Sequence, residues 1–240
     1  MRKHSTILGA FAMSLASLLG FVEASNAQGS PVTAIDILLE PDATMVQHAQ
    51  ADNARLLKAY PGGFALDATH HPHITILQQF VRTADLSKIY AAANRILANE
   101  KVASWNLKAF KYYYIPVPPD GIAGIVIEPT ENLLRLQRAL LDAVAPFTEG
   151  TGIAAAFVTA DGGRDIQQGL IDYVANFTEV ASGKKFNPHV TIGVAPEAYL
   201  NEMLAEPFQT FTFSAVGASV YQLGSFGAAR TKLQALSLTP

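Results

Sequence analysis

The chain has 240 residues, half of them apolar and 15% charged, with a formal net charge of −3 and no cysteine. That is ample material for one large domain or two small lobes, and it lacks the basic excess of a protein that grips long duplex nucleic acid. Without cysteine there is no disulfide, no thiolate nucleophile and no thiolate metal site.

Residues 1–27 read as a secretory signal peptide: Arg2, Lys3 and His4 form a basic start, Ile7 to Val22 is apolar, and Ser25-Asn26-Ala27 supplies small residues for cleavage. The apolar run is short for a bilayer-spanning helix. Cleavage after Ala27 and export to a periplasm or the medium are therefore expected, an uncleaved anchor being the alternative. Residues 28–240 then form a single bilobal domain with no stable membrane insertion.

Val32 to Leu39 (VTAIDILL) predicts a strand. Asp42 is placed to cap a helix running to about Tyr60, with Met45, Ala49, Ala54 and Leu57 on one side, and Pro61-Gly62-Gly63 ends it. Phe64 to Phe80 reads as strand. A helix opens at Asp85, with Leu86, Ile89, Ala93 and Leu97 at helical spacing. Ser104–Val117 and Ile122–Glu128 read as two strands joined by Pro118-Pro119-Asp120-Gly121. Leu133, Leu136, Leu140 and Val144 stripe a helix begun at Thr130. A strand-like stretch follows at Ile153–Thr159, then a turn at Asp161-Gly162-Gly163 and a helix to about Asn176. Phe186–Val194 reads as strand and Pro196–Leu204 as a short helix. Phe208–Ser214, Ala218–Leu223 and Thr231–Leu238 read as closing strands. Each half holds a strand, a helix and a pair of strands in that order. The order implies an α+β fold of two similar lobes, each a mostly antiparallel sheet backed by helices.

One pentad occurs twice, as PHITI at Pro72–Ile76 and PHVTI at Pro188–Ile192. Residues two apart in a strand share a face, so His73 projects with Thr75, and His189 with Thr191, while Ile74, Ile76, Val190 and Ile192 anchor the strands on the other side. Two such strands face to face would offer a general base and a general acid near neutral pH, with two hydroxyls for the oxygens of a phosphate between them. His189 is also the single histidine after the first pentad.

These pentads, their wide separation and the ending Val220–Leu236 (VYQLGSFGAARTKLQAL) resemble the two-histidine phosphoesterase superfamily, in its branch of 2′-5′ RNA ligases and cyclic nucleotide phosphodiesterases. The resemblance covers most of the chain from about Thr33. It implies two pseudo-symmetric lobes around a central cleft. It further implies metal-free action on cyclic or 2′-5′-linked phosphates, with His73 and His189 as acid and base and Thr75 and Thr191 as phosphate ligands. The substrate would be a small phosphodiester or short oligonucleotide, with no cofactor, and a monomer is expected.

Other residues are weighed beside these. His70 and His71 crowd the first pentad, but Asp67 is the one carboxylate close by, so they are placed on the cleft rim or surface and no metal is expected. Tyr112 and Tyr114 share one strand face, with Tyr113 on the other; stacking on a base and packing in the core stay equally open for them. Phe80 and Phe186 are assigned to the core. Lys185, in a solvated turn, and Arg230, after Gly224–Gly227, are possible substrate contacts. Arg135 and Arg138 belong to the polar face of their helix.

Overall fold

The computed structural model describes residues 31–159 and 165–238. The signal-peptide reading and the Asp161-Gly162-Gly163 turn lie outside them. In chain order the elements are β1 (Val32–Pro41), α1 (Ala43–Ala59), β2 (Ile74–Arg82), α2 (Leu86–Leu97), β3 (Leu107–Val117), β4 (Asp120–Ile127), α3 (Glu131–Val144), β5 (Thr148–Glu149), α4 (Gln168–Ala175), α5 (Phe177–Val180), β6 (His189–Pro196), α6 (Glu197–Ala205), β7 (Phe211–Phe213), β8 (Ala215–Leu223) and β9 (Ala229–Leu236). Among the described residues no helix is long and apolar enough to cross a membrane.

The strands form two antiparallel sheets, ordered β5-β2-β1-β8-β9 and β6-β4-β3-β7. The fold is α+β with two sheets, as expected, but the sheets are not the two halves of the chain. The first joins β1 and β2 to β8 and β9 from the far end; the second takes β3 and β4 from the middle and adds β6 and β7. The pentad strands β2 and β6 therefore fall in different sheets. One apolar cluster runs through both, with Ile74 and Ile76 from the first pentad and Val190 and Ile192 from the second all fully buried.

Local chemistry explains the helices. The Asp42 carboxylate accepts from the backbone N–H groups of Thr44 and Met45 at 3.0 and 3.3 Å, which satisfies donors that the first turn of α1 leaves open. The same side chain accepts from Ser214 N at 2.9 Å, tying that turn to the start of β8. Thr130 caps α3 through Leu133 N at 3.3 Å. The buried side of α1 runs through Met45, Ala49, Asn53 and Leu56 rather than Ala54 and Leu57. Asn53 is buried because its amide is used fully: it donates to Phe64 O and Ile192 O and accepts from Leu66 N.

Three strand expectations are corrected. Residues 64–73 are loop, and β2 begins only at Ile74. Asn53 and an Asp67 turn, in which Asp67 Oδ1 accepts from Thr69 N at 2.7 Å, satisfy backbone groups there that a ladder would otherwise use. Pro72 has no N–H to give. Around Ile153–Thr159 there is a single 3-10 turn at Ala154–Ala156, not a strand. Gly152 crosses so close to the Phe80 ring that a Cβ there would sit 2.3 Å from Phe80 Cε1. Phe208–Ser214 contributes only the three residues of β7.

Candidate active site

The two pentads open onto one cleft of about 650 Å³ between the sheets. His73 sits at the entry to β2 and His189 is the first residue of β6, and their tethers match. Nδ1 of His73 lies 2.6 Å from the backbone O of His71, and Nδ1 of His189 lies 2.8 Å from that of Asn187. A carbonyl oxygen can only accept, so each Nδ1 carries the proton, and a neutral ring keeps its lone pair on Nε2. Each ring is thereby held by the backbone two residues before it.

The surroundings of the two rings differ. His73 Nε2 is 3.7 Å from Oδ2 of Asp36, a carboxylate with no solvent exposure in the middle of β1. Thr75 Oγ1 and Gln78 Nε2 donate to the same oxygen at 2.7 and 3.1 Å, while Oδ1 of Asp36 has no hydrogen-bond partner among the described residues. Burial pushes the Asp36 carboxyl above its ordinary value, against the His73 charge and the bonds from Thr75 and Gln78, which pull it down. Thr75 and Gln78 are three apart, on opposite faces of a regular strand. They reach one oxygen because the β1–β2 register slips between Ile37 and Leu38.

Among the described residues no carboxylate forms an ion pair with His189. The Tyr113 ring meets it edge-on with centroids 4.7 Å apart. Burial, with a smaller contribution from the charge of His73, lowers its pKa to about 4, although the bond to Asn187 O opposes the shift. His189 is therefore neutral, with Nε2 free to accept a proton, through the physiological range. The Tyr113 ring is admitted by Gly124. Tyr113, Gly124 and Thr191 form one row across β3, β4 and β6, and a Cβ on Gly124 would sit 2.5 Å from Tyr113 Cε1. Thr191 lines the cleft, and its hydroxyl has no hydrogen-bond partner among the described residues.

The family model of the 2′-5′ RNA ligase superfamily matches residues 41–223, well over half of the chain. The chain belongs to this superfamily of two-histidine phosphoesterases. No curated protein sequence matches it. In fold it is similar to TT0787 of Thermus thermophilus, with a TM-score of 0.53 at 17% identity over 86% of this chain and 98% of that one. The crystal structure of E. coli LigT complexed with 3′-AMP gives a TM-score of 0.47 at 14% identity, over 88% of this chain and all of that one. Membership of the superfamily points to action on phosphodiesters.

Within this two-histidine fold the cleft gathers His73, Thr75, His189 and Thr191, as the pentads predict, and adds Lys185 at its rim. Lys185 is exposed and donates from Nζ to Glu179 O at 3.0 Å. Tyr112, Tyr114 and Arg230 do not line the cleft. Tyr112 donates to Asp52 and packs on Phe208, Tyr114 donates to Asn201, and Arg230 is exposed against Gly224. The aromatic of that run that faces the cleft is Tyr113, because pairing with Gly124 sets the phase of β3. Phe80 is in the core, whereas Phe186, though buried, also reaches the cleft wall. His70 stacks on Phe64 at 4.4 Å, and His48 stacks on Phe211 on an exposed helix face. Among the described residues no three histidines or carboxylates converge as a metal site would need. Asp36 and Tyr113 are the residues that the pentads alone did not reveal. A carboxylate inside the apolar run VTAIDILL was the available signal for the first.

Proposed function

We propose that this protein is a metal-independent phosphodiesterase that hydrolyses cyclic 2′,3′-type or 2′-5′ phosphodiester bonds, in nucleotides or short RNA, by acid–base catalysis between His73 and His189. The observation that carries this reading is the matched Nδ1 tethering of two imidazoles that open on one cleft, each beside a threonine. His189 is the base, since it is neutral and has a free Nε2. It takes the proton of the attacking water as the new P–O bond forms. His73, with the Asp36 carboxylate 3.7 Å from its Nε2, is the acid, and gives its proton to the leaving oxygen as the old P–O bond breaks. Thr191 donates to a non-bridging oxygen. Thr75, whose proton is directed at Asp36, orders the opposite wall. The substrate is small, the protein acts as a monomer, and the leader at residues 1–27 exports it.

Hydrolysis of the four 2′,3′-cyclic nucleoside monophosphates in EDTA, with His73→Ala and His189→Ala alongside, tests this. Proton transfer by a positioned group is worth about 10²–10⁴-fold, and a loss of that size is expected in each variant. Turnover within a few-fold of the parent in either one would refute the mechanism. A pure binding module on the same fold would instead retain ligand in both variants and show no turnover in the parent. The apolar walls of the cleft favour a second reading, a phosphodiester that is not a nucleotide.

A further inference from the structure

The acid–base groups occupy only the floor of the cleft; its mouth has a different chemistry. The large apolar side chains exposed among the described residues are few, and five of them line this cleft: Ile115 (45% exposed), Val117 (38%), Tyr173 (40%), Val180 (42%) and Phe226 (57%). They come from the free end of the β3–β4 hairpin, from α4, from the end of α5 and from the β8–β9 turn, so folding has brought together a patch that no single element carries. Exposed apolar residues scattered singly need no explanation, but a set gathered around a pocket marks what the pocket holds.

Phe226 adds an independent sign. Its φ of 58° places a bulky residue in the left-handed region, where a glycine would sit without strain, and the ring is more than half exposed. A strained backbone that presents an aromatic ring to solvent at a cleft mouth is unaccounted for by folding alone. Cations are scarce by contrast. Among the described residues Lys185 is the one lysine or arginine that lines the cleft, which gives little purchase for a second phosphate.

We infer that the cleft takes a phosphodiester with one phosphate and an aliphatic arm, of the class of 1-O-alkylglycerol 2,3-cyclic phosphates. The inference rests on the hydrolase reading above for the fate of the phosphate, and on the apolar mouth for the arm. Such a compound carries the same five-membered cyclic phosphate as a 2′,3′-cyclic nucleotide. Water adds to phosphorus, one ring P–O bond breaks, the water proton passes to His189, and the leaving glycerol oxygen takes a proton from His73. The product is a phosphomonoester with a free hydroxyl. The arm lies along Ile115 and Val117 on one side and Val180 and Phe226 on the other.

The test compares kcat/KM for glycerol 1,2-cyclic phosphate, its butyl and octyl ethers below micellar concentration, and 2′,3′-cyclic AMP and UMP. Complete burial of a methylene is worth up to about fourfold; with partial burial the octyl ether should exceed the unsubstituted compound by about 30-fold or more, and exceed both nucleotides. A flat alkyl series, or a nucleotide turned over as well as the octyl ether, would overturn the arm and leave the hydrolase standing. If none of the compounds is turned over, the cyclic-phosphate part of the hydrolase reading fails. Calorimetric binding of octylglycerol phosphate against adenosine 3′-phosphate then decides the arm alone, and equal or tighter nucleotide binding overturns it. Phe226→Gly suits the backbone at that turn, so it should fold at least as well as the parent while lowering the octyl-to-glycerol ratio several-fold. An unchanged ratio in that variant and in Ile115→Asn would also count against the arm.

Discussion

Oδ2 of Asp36 stands 3.7 Å from Nε2 of His73, and that carboxylate has no exposure to solvent. It also receives Thr75 and Gln78, so one buried oxygen organises the whole first-pentad side of the cleft. A carboxylate buried this way costs stability, and its place beside His73 ties it to the proposed acid. Because burial raises the Asp36 pKa in the fold above its ordinary value of 3.8, the native state holds that proton more tightly than the unfolded chain does. Stability therefore falls as pH climbs from the ordinary value through the raised one, and stays lower above it. Asp36→Asn should raise Tm at pH 7, show little gain at pH 4, and lower kcat by about tenfold or more. Melting curves at the two pH values, with initial rates, check this. A lower Tm at pH 7 would mean that the carboxylate stabilises the fold.

His189 supplies the pH dependence of catalysis. Its pKa is held down to about 4, so as the base it should stay active well below neutrality, and the acid limb of kcat/KM should fall near pH 4 rather than near the ordinary histidine value of 6.5. Burial is the main cause, and the Tyr113 ring provides part of that cover. Tyr113→Ala should therefore move the acid limb upward. A pH–rate profile from pH 3.5 to 9 on both proteins decides the point; an unmoved limb would show that Tyr113 does not control the ring.

Gly124 should tolerate no side chain while Tyr113 is present. A Cβ there would overlap the ring at 2.5 Å, and overpacking of this kind costs about 1–3 kcal/mol. Gly124→Ala is expected to lower both Tm and activity. In the Tyr113→Ala background, where the obstructing ring is gone, the stability cost of the same change should shrink to what the 3.2 Å approach to Val190 O still imposes. Additive losses in that double-mutant cycle would show that the two positions do not meet.

Gln137, on the buried side of α3, links the two pentad regions. Its Nε2 donates to Ile76 O in β2 and to Ala181 O, and its Oε1 accepts from Gly183 N in the lead-in to the second pentad. Gln137→Leu preserves the bulk and strands three backbone groups, one of them bonded entirely in the interior. A loss of about 3 kcal/mol is expected, measurable by urea denaturation. A change below about 0.5 kcal/mol would mean that water replaces those bonds.

Much of this protein is determined locally, and those features are legible in the chain by itself. Strand alternation places His73 with Thr75 and His189 with Thr191, because a pleat repeats every two residues whatever it packs against. Asp42 and Thr130 announce α1 and α3, because capping involves only the first turn. What the tertiary structure decided depends on partners distant in sequence. The repeated order of elements suggested one lobe per half, but the sheets exchange strands, since β1 pairs with β8 and β4 with β6. Tyr113, not Tyr112 or Tyr114, faces the cleft because Gly124 on the neighbouring strand leaves room for its ring. The bond of Asp36 to both Thr75 and Gln78 needs the register slip at Ile37/Leu38, which no pattern within β1 or β2 encodes. The chain carries the two His-x-Thr pairs; which groups surround each imidazole, and hence that His189 is left neutral, is set only when the two sheets close on each other.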